Sequence, residues 1–268
     1  MKKTIGFIGS GNMGGAMMGG IVGAGLVEKE QIIVSDISEA ALFKVKEQYG
    51  VNTTLDNGEV AKKSDILVLS VKPHFYASVI KEIKDMVKED VVIVVIAAGQ
   101  SIESVTRAFG REMKIAKVMP NTPAMVGEGM AAICPSQSMT EEEIQDVVDI
   151  FNSFGKSEIV PESMMDAVTA VSGSSPAYVF MFIEAMADAA VREGMPRAQA
   201  YKFAAQSVLG SAKMVLETGK HPGELKDMVC SPGGTTIDAV AKLEERGFRT
   251  SVMEAMKACA DKSRDMSK

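Results

Sequence analysis

The chain is 268 residues long, with 46% hydrophobic residues, 24% charged residues and a formal net charge of −6 at pH 7. That length supports two ordinary domains with real cores, and the composition is that of a globular chain. The acidic balance excludes an electrostatic binder of nucleic acid, which needs lysine and arginine clustered on one face; no such stripe occurs.

Residue chemistry excludes two further classes. Cys134, Cys230 and Cys259 are odd in number and far apart, so they spell neither a disulfide framework nor a metal knuckle, and a reducing, cytoplasmic setting is expected. With only His74 and His221 available, no metal site is expected. No run reaches about 18 uninterrupted apolar residues, so no membrane contact is expected. Met1-Lys2-Lys3 and the apolar residues after them imitate the start of a secretory signal, but Gly9-Ser10-Gly11-Asn12 breaks the helix such a signal needs.

In chain order, the strands are expected at Thr4 to Ile8, Ile32 to Ser35, Ile66 to Ser70, Val91 to Ala97, Lys114 to Val118 and Met130 to Cys134. Amphipathic helical stretches alternate with them, which is the pattern of a doubly wound, mostly parallel α/β Rossmann sheet. The near-continuous apolar runs at residues 66–69 and 91–96 fit strands covered on both faces. From Pro161 the β-branched runs stop and helical periodicity continues to Lys268. The expected division is a Rossmann dinucleotide-binding domain over 1–160 and an all-α substrate-binding and dimerisation domain over 161–268.

Residues 176–191 carry only Glu184 and Asp188 as charges, more apolar than a single core-facing stripe requires. One small helical domain hardly covers such a helix, so a homodimer packed through these helices is expected. The 20 methionines fit adaptable core filler; a Met-lined cofactor box is the sharper alternative.

Gly9-Ser10-Gly11-Asn12-Met13-Gly14 is a G-x-G-x-x-G between a predicted strand and a predicted helix. Its glycines permit a tight turn, a close backbone approach to a pyrophosphate, and close helix-to-strand packing, and the helix start adds unpaired N–H groups. Asp36, ending the second strand, stands where an acidic side chain accepts hydrogen bonds from an adenosine ribose, which by charge favours NAD over NADP. Alternatively Asp36 is a solvated cap, with Ser35 and Ser38 left to bind a phosphate. Ser70-Val71-Lys72-Pro73 and Ala97-Ala98-Gly99 sit at carboxyl ends of strands, where ligands bind in open α/β sheets; Lys72 read alone could equally be an ordinary exposed lysine.

Two loops of the second half are rich in glycine, serine and proline: Ser172 to Tyr178, and Ser231-Pro-Gly-Gly-Thr-Thr236. The latter runs into a helix expected near Ile237, so the N–H groups of Gly233, Gly234, Thr235 and Thr236 are read as a carboxylate site. A capping turn served by Ser231 or Thr235 is the alternative.

With these blocks in hand, the sequence closely resembles the pyrroline-5-carboxylate reductase family over essentially its whole length. The resemblance rests on residues 5–14, Val71 to Pro73, Met119 to Pro123, Ser172 to Tyr178 and, most specifically, His221 to Asp227 running into Ser231 to Thr236. It implies hydride transfer from NADPH or NADH to the C=N carbon of 1-pyrroline-5-carboxylate, a small imino acid, giving L-proline in the last step of proline biosynthesis. It further implies cofactor contacts at Ser10, Asn12, Met13, Ser35, Asn57, Val71, Lys72 and Ala98. Substrate contacts are implied at Glu162, Thr235 and Thr236, with the loop amides on the carboxylate and the Thr236 hydroxyl near the ring nitrogen as the catalytic group. Relatives assemble dimers into larger rings, so a similar assembly is expected.

Ser175 departs from a frequent glycine, and Met228 stands where some relatives have an asparagine that touches the cofactor. A β-hydroxyacid dehydrogenase is the enzymatic alternative, but Ser172 to Tyr178 lacks that family's catalytic lysine. A silent nucleotide-binding scaffold is the other, and it would have no reason to keep Ser231 to Thr236.

Overall fold

The computed structural model describes residues 1–266, so the expectation of helix through Lys268 lies outside the described residues at its last two positions. Eight strands form one sheet: β1 Ile5–Ile8, β2 Ile32–Ser35, β3 Asn52–Thr54, β4 Ile66–Leu69, β5 Val92–Val95, β6 Lys114–Met119, β7 Gly129–Pro135 and β8 Gly155–Ile159. Their order is β3-β2-β1-β4-β5-β6-β7-β8, and every neighbouring pair is parallel except β6 with β7.

Period-2 alternation sends successive side chains of the central strands to opposite faces. Ile5, Phe7, Ile66, Val68, Val92 and Val94 join one core, while Ile8, Leu67, Leu69, Ile93 and Val95 join the other. The helices α1 Asn12–Gly23, α2 Glu39–Tyr49 and, further on, α6 Glu141–Asn152 cover the first face; α3 Asn57–Lys63, α4 Tyr76–Ile83 and α5 Ile102–Phe109 cover the second. Burying each such side chain contributes about 1.5–3 kcal/mol, which is why the central runs hold no charge.

Local chemistry sets the helix ends. The Ser38 hydroxyl accepts from Ala41 N–H to start α2, and Thr140 and Glu143 exchange capping-box hydrogen bonds at α6. Glycines in the left-handed region close α2 at Gly50 and α5 at Gly110.

All six expected strands form, with ends displaced by at most two residues. β3 and β8 were not anticipated. Both are edge strands, and their sequences Asn-Thr-Thr and Gly-Lys-Ser-Glu-Ile bury too little to carry an apolar pattern.

Beyond β8 the chain is helical: α7 Met165–Val168, a π-helical turn at Thr169–Gly173, α8 Ser175–Arg192, α9 Arg197–Thr218, α10 Pro222–Val229, α11 Thr235–Glu245 and α12 Phe248–Met266. The described residues divide into two compact units, one of residues 1–174 together with the end of α12 from Cys259, the other of residues 175–258. The end of α12 is tied into the first unit by the Ser263 hydroxyl, which donates to Asp166 at 2.6 Å.

Within the second unit α8 packs on α9, yet Ala187 is the one fully buried residue of α8. Phe180 is 62% exposed and Met181 69%. Burial of α8 on several sides is therefore not achieved by the single chain. No helix among the described residues is long and apolar enough to cross a membrane.

Candidate active site

The sheet reverses its winding between β1 and β4, and the loops leaving these two strands diverge there. Each glycine of the first loop has a distinct physical reason. Gly9 has φ +102°, and a Cβ on it would stand 2.8 Å from the Ser70 carbonyl oxygen. A Cβ on Gly14 would meet the Gly9 carbonyl at 2.8 Å, so the start of α1 can lie against β1 only without one. A Cβ on Gly11 would meet nothing within 4 Å, so the space beside it is open. Gly11 caps α1 with no side-chain hydrogen bond, leaving the first N–H groups of the helix as free donors for an anion.

The loop is tethered on both sides. Asp36 Oδ2 accepts from the Ser10 N–H and from the Ser10 hydroxyl, both at 2.7 Å, and its Oδ1 accepts from the Ser38 N–H at 3.0 Å. On the β4 side, the Ser70 hydroxyl donates to the Gly9 carbonyl at 2.6 Å. Partial burial alone would raise the Asp36 carboxyl; hydrogen bonds from Ser10, Ser38 and Ile37 outweigh it and hold the group below its ordinary value. Asp36 thus lines the cleft as expected, but much of its accepting capacity already serves the loop.

Between the loops lies a cleft of roughly 490 Å³, lined by Gly9, Gly11, Asp36, Ile37, Asn57, Val71, Lys72, Phe75, Ser78, Val79 and Glu82, with Ile8, Ser35 and Ser70 at its base. Lys72 has no carboxylate partner among the described residues and supplies the cleft's positive charge. Ala97 and Ala98 follow β5, the next strand over. The fully buried Tyr76 joins the two strand ends: its hydroxyl donates to the Leu69 carbonyl at 2.5 Å and accepts from the Ile96 N–H at 3.3 Å. Desolvation pushes the Tyr76 phenol well above its ordinary range, so it remains a neutral bridge.

Two expected contact residues also bond neighbouring side chains. Ser35, at the base of the cleft, has 0% exposure and donates to Asn57 Oδ1 at 2.7 Å. Glu162 Oε1 accepts from the buried Lys117 ammonium at 3.0 Å and from the Ile102 N–H at 3.1 Å, while its side chain stays 38% exposed. A buried lysine without a counter-charge is costly, which accounts for a carboxylate at this position.

The Met119 to Pro123 block has a structural duty. Asn121 accepts from the Met130 N–H at 2.8 Å and donates to the Ser172 carbonyl at 3.1 Å, joining β7 to the turn before α8. Sequence reasoning passed over Tyr76 and Glu82, which nothing in the pattern marked. Ser70, read with the Val71 to Pro73 block at the end of β4, lines the cleft with it.

In the second unit, His221 caps α10, its Nδ1 accepting from the Gly223 N–H at 3.0 Å, with Pro222 in the first turn. After α10 the chain turns through Ser231 to Gly234, with Gly233 at φ +67°. The Gly234 N–H is consumed by the Ser231 carbonyl at 3.1 Å, and a Cβ on Gly234 would lie 2.4 Å from the Ser231 hydroxyl oxygen. α11 begins at Thr235, two residues before the expected Ile237, with no side-chain cap. Of the Gly233 to Thr236 set, only the Gly234 N–H is used within the turn, and the helix start adds the Ile237 N–H as a further donor without an intrahelical partner. Neither Ser231 nor Thr235 caps the helix, so the capping alternative fails.

A family model described as pyrroline-5-carboxylate reductase dimerisation matches residues 162–266, and one described as NADP oxidoreductase, coenzyme F420-dependent, matches residues 4–116. The pyrroline-5-carboxylate reductase of Escherichia coli (strain K12) is 54% identical over 268 residues, 100% of either chain. The chain belongs to the pyrroline-5-carboxylate reductase family. Two solved structures agree with this family's fold along the whole chain. The Coxiella burnetii pyrroline-5-carboxylate reductase superposes with a TM-score of 0.94 at 32% identity, covering 100% of both chains. The Plasmodium falciparum pyrroline carboxylate reductase, solved with NADP bound, gives 0.91 at 35% identity and covers 100% of this chain and 99% of that one. Full-length agreement with this reductase family leaves the β-hydroxyacid dehydrogenase alternative without support.

Proposed function

We propose that this chain reduces 1-pyrroline-5-carboxylate to L-proline with NADPH or NADH, the last step of proline biosynthesis. The observation that carries the reading is the pairing, in one chain of this family, of a glycine loop open only at Gly11 with an uncapped helix start at Thr235. The first fits a dinucleotide pyrophosphate, the second a small carboxylate.

A reduced nicotinamide supplies the hydride. The residues supply position and charge. The N–H groups at the start of α1, at Asn12 and Met13, take the pyrophosphate, Lys72 adds a positive charge, and Asp36 and Asn57 meet the adenosine end. Val71, Pro73, Ala97 and Ala98, at the ends of β4 and β5, form the nicotinamide half. The N–H groups of Thr235 and Thr236 hold the substrate carboxylate, each charge-assisted hydrogen bond contributing about 1.5–3 kcal/mol.

The ring nitrogen is protonated in the reactive iminium, so hydride addition at the adjacent carbon leaves the neutral secondary amine of proline. The Thr236 hydroxyl stands at that nitrogen, donating to it when it arrives unprotonated. Such chemistry needs orientation above all, which is why no catalytic histidine is required.

Two copies assemble through the apolar faces of α8 and α9, which would cover Phe180, Met181 and Phe203; larger rings build on that dimer. With three free cysteines the chain suits the cytoplasm. Purified enzyme mixed with pyrroline-5-carboxylate and each reduced coenzyme tests the function directly, by loss of nicotinamide absorbance and appearance of proline. Light scattering tests the assembly: a particle of one chain mass contradicts it.

A further inference from the structure

The wall of the cleft where β2, α3 and α4 converge carries a carboxylate that no motif marks. Glu82, on α4, accepts through Oε2 from Asn57 Nδ2 at 3.0 Å, and Asn57 Oδ1 in turn accepts from the buried Ser35 hydroxyl at 2.7 Å. A carboxylate only accepts, so the asparagine NH2 must face Glu82 and its oxygen must face Ser35. The relay therefore has a fixed polarity, and the Ser35 proton is committed inside the protein.

What a ligand meets on this wall is dominated by acceptors. Asp36 and Glu82 present two carboxylates, and the Ser78 hydroxyl is turned to the Phe75 carbonyl at 2.8 Å. The remaining N–H of Asn57 is the one side-chain donor left over. Lys72, the single cation lining the cleft, belongs to the segment after β4. Such a wall suits hydroxyl groups, which donate. It opposes a phosphate ester, which only accepts and carries a charge of about −1.5 to −2 at neutral pH.

We propose that Glu82 is a specificity-determining residue for the coenzyme: with Asp36 it selects the unphosphorylated adenosine ribose of NADH against the 2′-phosphate of NADPH. The inference rests on the nicotinamide-nucleotide reading above. Asp36 is unsuited to test it, because its loss also releases the Ser10 tether; Glu82 is exposed and tethers nothing but Asn57.

Calorimetric titration of the purified enzyme with NAD+ and with NADP+, without imine substrate, reads the preference as a ratio of Kd values. The wild-type protein binds NAD+ the more tightly. Glu82→Gln keeps the shape and removes the charge, and it lowers the preference for NAD+ by about ten-fold, chiefly through tighter NADP+ binding. That gain shrinks as salt is raised. Glu89→Gln, an exposed carboxylate outside the cleft, leaves the ratio where it was and controls for net charge. Tighter NADP+ than NAD+ binding by the wild type overturns the proposal, as does a Glu82→Gln ratio within two-fold of wild type. If neither nucleotide binds, the nucleotide reading falls with it, an outcome separate from both of these.

Discussion

The glycine loop at residues 9–14 and the glycine turn at residues 231–234 draw on similar residues, yet the chain secures them differently. Around the first, Asp36 accepts from the Ser10 N–H and hydroxyl, the Ser70 hydroxyl donates to the Gly9 carbonyl, and the Gly9 N–H donates to the Ser35 carbonyl. The second owes its shape to local rules alone: one Gly234 to Ser231 hydrogen bond, a positive φ at Gly233, and the start of a helix. A binding surface imposed by sheet packing is over-determined. One imposed by a helix start is simpler, and it stands on helices whose apolar faces the single chain does not cover.

The contrast breaks most sharply at Gly9. Gly9→Ala must place a methyl 2.8 Å from the Ser70 carbonyl at a φ of +102°, adding about 1–3 kcal/mol of backbone strain to the clash. Nucleotide affinity is expected to fall more than 100-fold (estimated from combined strain and clash), with a lower Tm. Gly11→Ala is the counter-test: its methyl enters open space, so Tm holds while nucleotide affinity drops.

Thr236→Ala comes next. It leaves the N–H groups of α11 in place, so nucleotide Kd and Tm stay at wild-type values while kcat falls by roughly one to three orders of magnitude. Unchanged kinetics would remove the hydroxyl from the chemistry.

Phe180→Asp tests the uncovered faces. The side chain is 62% exposed in the single chain, so monomer folding tolerates the charge, but a dimer seam does not. Light scattering is expected to report a halved mass or less, with the nucleotide cleft still binding.

The smallest effect concerns pH. Because hydrogen bonds hold the Asp36 carboxyl below its ordinary value of 3.8, its contribution to stability is complete above that value and drains away as pH falls below it. Asp36→Asn should flatten this acid limb of a Tm–pH profile, and an unchanged limb would show that the tether is not stabilising.

Most of the sheet was legible because buried parallel strands must be apolar throughout: Ile66–Leu69 and Val92–Val95 advertise themselves. β3 and β8 were not, since an edge strand with one face in solvent can be built from Thr, Ser and Lys. In the site, Gly9, Gly11 and Gly14 were legible as one motif, although the structure itself leaves no room for a side chain only at Gly9 and Gly14. The partners of Ser35 and Glu162 were not legible, because a polar residue near a strand end looks the same in sequence whether or not it also bonds a buried neighbour such as Asn57 or Lys117. Glu82 was invisible: its meaning comes from α4 packing beside Asn57, 25 residues away in sequence.

The central claim is tested most directly by mixing the purified enzyme with 1-pyrroline-5-carboxylate and a reduced nicotinamide nucleotide, then following coenzyme oxidation and proline together. Equimolar loss of the reduced coenzyme and gain of L-proline is the expected result. Nucleotide binding with no proline formed from either coenzyme would contradict it.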